Sequence, residues 1–120
     1  MDHNNRHGIY LTNTNTDNTF TGNDIEDNAV RGIHIHSSSC SSNLFYNNYL
    51  LNSDNYHEDA VAVNTWNITK TLGTNIVGGA YLGGNYWSDY TGTDTDSDGL
   101  GDTLLPHGPG DNHPLVMVST

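Results

Sequence analysis

The chain has almost no positive charge. Arg6, Arg31 and Lys70 are its only basic residues, against 14 acidic ones, for a formal net charge of −11. Nucleic acids and anionic membrane surfaces are recognised through a basic footprint, so neither is expected as a partner. The single Cys40 excludes an internal disulfide. It sits in the turn-like run Ser37-Ser38-Ser39-Cys40-Ser41-Ser42, which predicts partial exposure. No apolar run approaches a membrane span and no secretory leader is seen, so membrane insertion is not expected. No segment carries a helical apolar period with caps. Met1-Asp2-His3-Asn4-Asn5 reads as an initiator joined to an internal fragment, since the chain opens straight into a repeat.

What is present is a repeat. Arg6-His7-Gly8-Ile9-Tyr10-Leu11 returns as Val30-Arg31-Gly32-Ile33-His34-Ile35, and Asn18-Thr19-Phe20 through Ile25 returns as Asn43-Leu44-Phe45 through Leu50. A looser third copy contains Ala60-Val61-Ala62-Val63 and Asn75-Ile76-Val77. Short apolar alternation bounded by Asn, Ser, Thr and Gly reads as half-buried strand. A period in the low twenties with several such strands is one coil of a β-solenoid. Like residues then stack on like. The expected interior ladders are Ile9, Ile33 and Val61; Leu11, Ile35 and Val63; Phe20, Phe45 and Val77; Ile25 and Leu50. The 17 asparagines suit the corners, because Asn tolerates left-handed backbone angles and its amide can pair with the copy above. Asn18 over Asn43 and Asn23 over Asn48 are the expected pairs.

From residue 80 the composition changes. Tyr81, Tyr86, Trp87 and Tyr90 cluster and, with Trp66, are large enough to plug the last coil. Next comes Asp94-Thr95-Asp96-Ser97-Asp98-Gly99-Leu100-Gly101-Asp102. Alternate carboxylates ending in a glycine can wrap a hard cation that wants six to eight oxygens. The expected Ca²⁺ ligands are Asp94, Asp96, Asp98, the Leu100 carbonyl and Asp102. Leu105 stands where an EF-hand has its bidentate Glu, so the loop is of the dockerin or thrombospondin-repeat kind. Residues 1–79 are thus expected to be β-helix repeats and 80–120 a calcium-binding cap.

The N-x-[IF]-x-x-N and G-I-x-[IL] repeats resemble those of the NosD-like and CASH families of right-handed parallel β-helices. The tail, Gly83-Gly84-Asn85-Tyr86-Trp87-Ser88-Asp89-Tyr90 with the Asp loop and Asp111-Asn112-His113-Pro114-Leu115, resembles the end of NosD-like domains in archaeal, mainly methanogen, cell-surface proteins. The resemblance implies a right-handed β-helix from a secreted or cell-surface parent and no particular activity.

Three functional readings follow. The first is a non-enzymatic, calcium-stabilised structural repeat domain, extracellular or at the cell surface. It would self-associate through its open N-terminal coil, where unpaired strand edges invite another chain. The second is a carbohydrate-binding module using the aromatic group on a glycan. The third is a polysaccharide-acting enzyme, with Asp24, Glu26, Asp27, Asp54, Glu58 and Asp59 as candidate acids. These are read as solvated corners after the strands. His34 and His36 alternate with Ile33 and Ile35, so they should face outward over Tyr10 and Thr12, with Ala62 above. A His-x-His pair can bind Cu²⁺ or Zn²⁺, though no third ligand is evident from the sequence. Asn67-Ile68-Thr69 is a glycosylation sequon.

Overall fold

The computed structural model describes residues 7–117, for His7 the backbone alone. The readings of residues 1–6 and of the last three residues of the cap lie outside the described residues. Within them the chain is all-β, without a helix, in ten short strands. They are β1 (His7–Leu11), β2 (Thr19–Thr21), β3 (Asp24–Glu26), β4 (Arg31–Ile35), β5 (Leu44–Tyr46), β6 (Tyr49–Leu51), β7 (Tyr56–Glu58), β8 (Thr71–Leu72), β9 (Tyr81–Leu82) and β10 (Tyr86–Trp87).

Three sheets are parallel, in the orders β1-β4-β7, β10-β6-β3 and β2-β5, and β8-β9 is an antiparallel pair. Parallel partners lie one repeat apart. Ile9 opposes Ile33, Phe20 opposes Phe45 and Ile25 opposes Leu50. Repeat copies therefore stack in register, as the β-helix class has them. Ile25, Ile33, Ile35, Phe45 and Leu50 are fully buried. Side chains of a parallel stack sit directly above one another, so aromatic rows lie flat. Phe20 and Phe45 stack at 4.7 Å, and Phe45 and Trp66 at 4.1 Å.

Asparagines hold the corners between strands. The Asn43 Oδ1 accepts the main-chain and side-chain N–H of Asn18, and Asn64 Oδ1 does the same for Asn43. Asn23 donates likewise to Asn48, and Asn48 to Asn85. A third row runs from Asn28 to Asn52 to Asn55. Each buried amide thus satisfies backbone groups that the corner leaves outside the strand ladders. The Asn23 row ends at the carboxylate of Asp111, whose Oδ2 accepts from the Asn85 N–H and Trp87 Nε1. A carboxylate only accepts, so the row stops there without needing a further copy. Burial pushes the Asp111 carboxyl up, against the hydrogen bonds from Trp87, Asn85 and His113 that favour its charge. Gly84 lies against that carboxylate so closely that a Cβ would overlap it.

The third copy departs from the expected ladders. Tyr56 and Glu58, not Val61 and Val63, sit above Ile33 and Ile35. Val61 and Val63 are 78% and 76% exposed. The Asn52-to-Asn55 step is short, so the third strand begins earlier than the Val-x-Val alternation suggested. Tyr56 packs edge-on against Trp66, and its hydroxyl donates to Glu58 at 2.8 Å, which satisfies the carboxylate at an otherwise apolar position. Trp66 takes the place expected of Val77 in the phenylalanine row. The reason is an excursion closed at its neck by Ile68 N–H to Gly83 C=O, 2.8 Å, which contains the β8-β9 hairpin. Asn75 spends its amide inside that excursion, accepting from Val77 and Gly79. The composition change at residue 80 falls within the hairpin, and β10 beyond it rejoins the stack on β6. Cys40 is fully buried, with its thiol 3.6 Å from the Asn13 carbonyl, contrary to the expected exposure. A small apolar side chain fills the space under the serine turn.

Candidate functional sites

Two clusters of metal-ligating side chains stand out among the described residues. The first is the Asp loop. Asp94, Asp96, Asp98 and Asp102 each offer a carboxylate oxygen, and these lie within 4.8 Å of one another. The loop is built locally. Asp94 accepts from the N–H of Asp98 and Gly99, Asp98 from Leu100, and Asp102 from the N–H of Thr95 and Asp96 and the Thr95 hydroxyl. Gly99 sits at φ +87°, where a side chain would be strained. The Leu100 side chain is buried, and Leu100 bridges to Leu115 on the tail. That contact and the Gly101 N–H to Pro114 C=O bond dock the loop on the body.

Desolvation and hydrogen bonding to Asp98 push the Asp96 carboxyl up. Desolvation also works against the charge on Asp98, but the Leu100 N–H and the Lys70 ammonium outweigh it and hold that carboxyl down. Thr95 holds Asp102 down. Lys70 Nζ is 3.0 Å from Asp98 and lies over the Tyr81 ring, so the excursion supplies the loop with a basic contact. An open cleft of about 760 Å³ beside the loop is lined by Gly78, Tyr81, Asp94, Asp98 and Met117, among others, which leaves the carboxylates reachable from solvent.

The second cluster is on the β1-β4-β7 sheet. Tyr10, His34 and His57 stand in one row of the register. Asp59, just past β7, is fixed by its N–H to the Ile35 carbonyl. Its carboxylate meets His34 Nε2 at 2.7 Å, His36 Nδ1 at 2.8 Å and His57 Nε2 at 2.9 Å. Hydrogen bonds from His36 and His34, then His57, hold it well below the usual carboxylate range. His57, not Ala62, therefore lies above His34. The sequence reading missed His57 because nothing local marks it. The available signal was the register, had Tyr56 been aligned with Ile33.

The other candidates resolve plainly. Asp24 and Glu26 lie in β3 and Glu58 in β7, on strands rather than in turns after them. Asp54 faces Arg31 at 3.5 Å. Of the aromatics, Trp66 and Trp87 are buried in the core, while Tyr86 is half-buried and stacks on Tyr49 at 4.7 Å. The Asn67 side chain accepts from the Asn112 N–H.

Parallel strands stacked in register, with asparagine rows at the corners, make an all-β arrangement consistent with the β-helix class. The chain belongs to the NosD family: residues 1–92 match the family model described as "Periplasmic copper-binding protein (NosD)". A similar protein is the "Probable ABC transporter binding protein NosD" of Pseudomonas aeruginosa, 33% identical over 95 residues. That match covers 79% of this chain but 19% of the relative, so the chain spans about a fifth of its length. No solved structure matches the chain significantly. The histidine cluster falls inside the matched stretch and the Asp loop beyond it.

Proposed function

We propose that this chain is a non-enzymatic, calcium-stabilised structural domain of a secreted or cell-surface protein. It is a right-handed parallel β-helix of three coils whose residues from 80 onward serve as a cap. The observation that carries this reading is the convergence of four carboxylates on a loop docked to the end of the stack. Empty, they repel one another. A bound Ca²⁺ relieves that repulsion and adds stability that grows with its concentration. The Asp111 carboxylate at the end of the asparagine row supports the capping role. The family's periplasmic description supports a place outside the cytoplasm. Among the described residues no helix is long and apolar enough to cross a membrane.

Support for a structural rather than catalytic role comes from the acids themselves. Asp54, Glu58 and Asp59 are engaged with Arg31, Tyr56 and three imidazoles. Among the described residues β1, β2 and β3 are the outer strands of their sheets. That edge is where a further coil would add, from a longer chain or from a second copy in self-association. Thermal unfolding in calcium and in chelator tests the reading. The melting temperature should rise with calcium and fall on chelation, and indifference to both would reject it. Light scattering on the same samples reads the association.

A further inference from the structure

We propose that His34, His57 and Asp59, with His36 beside them, bind a divalent transition-metal ion of the Zn²⁺ or Cu²⁺ kind. The site shares no residue with the Asp loop. His34 Nε2, His57 Nε2 and an Asp59 carboxylate oxygen lie within 4.8 Å of one another. His36 Nδ1 reaches the same carboxylate. Two or three imidazoles and one carboxylate are a borderline donor set, suited to Zn²⁺ and Cu²⁺ and unlike the all-oxygen shell that Ca²⁺ takes.

The positions are set by main chain rather than by flexible side chains. His34 and His57 oppose each other across the β4-β7 pair, and Asp59 is pinned to Ile35. Tyr10 packs edge-on against His34 at 5.0 Å. The His34 side chain is only 11% exposed, whereas His57, Asp59 and His36 are 38%, 36% and 54% exposed. One ligand is anchored in the sheet and the others open to solvent.

The convergence of ring nitrogens on one carboxylate points the same way. A neutral imidazole has one N–H. Here three rings each place a nitrogen against one carboxylate. A single cation would stand in for those N–H donors: each neutral ring moves its proton to its other nitrogen and turns a lone pair toward the ion. With metal–nitrogen bonds of about 2.0–2.1 Å, tetrahedral ligand atoms stand roughly 3.3 Å apart. The 2.7–2.9 Å contacts must open by about half an ångström to admit it. Side-chain rotation on fixed strands supplies a movement of that size.

The test is Zn²⁺ titration calorimetry on the chain in a His3→Gln, His7→Gln background, so that imidazoles near the N-terminus add no site. Millimolar calcium is kept present to occupy the Asp loop. We expect one ion per chain, and His57→Gln or Asp59→Asn to weaken binding about tenfold or more. His113→Gln, away from the cluster, should leave it unchanged. Electron paramagnetic resonance of the Cu²⁺ form, which needs no cluster variant, should show at least two imidazole nitrogens. Absence of binding at micromolar Zn²⁺, equal affinity in the His57→Gln chain, or a copper spectrum without imidazole coupling would each overturn the assignment. If His57→Gln fails to fold, His36→Gln and the copper spectrum decide it.

Discussion

The two carboxylate-bearing clusters are made in opposite ways. In the Asp loop every ligand candidate lies within nine residues of sequence, from Asp94 to Asp102, and is held by hydrogen bonds to the loop's own N–H groups. In the histidine cluster His34 and His57 are a full repeat apart, and only the parallel register sets them side by side. The first is a local motif docked on the end of a stack. The second is a property of the stack itself. A local motif can form or empty without disturbing the sheets behind it, whereas a cluster borne on paired strands is lost when the strands part.

The largest expected effect breaks the stack. Ile33 is fully buried between neighbouring copies, so Ile33→Asp places an unpaired charge there at a cost of several kcal/mol. The cooperative unfolding transition, read by far-ultraviolet circular dichroism, should vanish; a normal transition would mean that Ile33 is not the interior row.

A smaller break spares the loop. Asn48→Ala strips the acceptor from Asn23 and the donor from Phe20 and Asn85. With buried groups left unsatisfied, the loss should be about 3 kcal/mol in urea unfolding. Calcium affinity should change by less than about twofold, since additivity holds for sites without shared partners. A matching fall in calcium affinity would show that loop and stack are one cooperative unit.

Asp96→Ala is the converse. It should remove the calcium-dependent part of stability, about 2.7 kcal/mol at a hundredfold excess over the dissociation constant. In chelator the variant should unfold within about 0.5 kcal/mol of the parent, because Asp96 is exposed. Persistence of the full calcium response would remove Asp96 from the ligand set.

Two further changes are smaller. Lys70→Ala takes a competing positive charge from Asp98. It should raise calcium affinity roughly two- to fivefold at low ionic strength and less in salt, which titration at two salt concentrations would read. Val61→Ser, at a surface position, should stay within about 0.5 kcal/mol of the parent. A larger loss would return Val61 to the interior row first expected of it.

Much of the stack is legible in the sequence. Ile9 over Ile33, Phe20 over Phe45, Ile25 over Leu50, Asn18 over Asn43 and Asn23 over Asn48 follow from two near-identical copies. The third copy was misread because its strand carries Tyr56-His57-Glu58, which shows no apolar alternation, while Val61-Ala62-Val63 does. A tyrosine–glutamate hydrogen bond and the Trp66 ring make Tyr56 and Glu58 acceptable inside, and neither partner is visible from residues 56–58 alone. Trp66 for Val77 is the same kind of error: the excursion through residues 68–83 breaks the count between copies.

By itself, then, the sequence determined the strand-rich class, the first two stacked copies and the meeting of Asp94, Asp96, Asp98 and Asp102 in one loop, because each depends on residues adjacent in the chain or on a repeat with constant spacing. The tertiary structure alone decided that Trp66 closes the phenylalanine row, that the asparagine row ends on Asp111, and that His57 and Asp59 join His34. Those contacts join residues of unlike type that no shared motif pairs, 21, 26 and 25 positions apart for Phe45–Trp66, Asn85–Asp111 and His34–Asp59. Where the copies share no motif, pairing is set by which side chains fill the interior and satisfy its polar groups, and that is settled only when the copies are stacked.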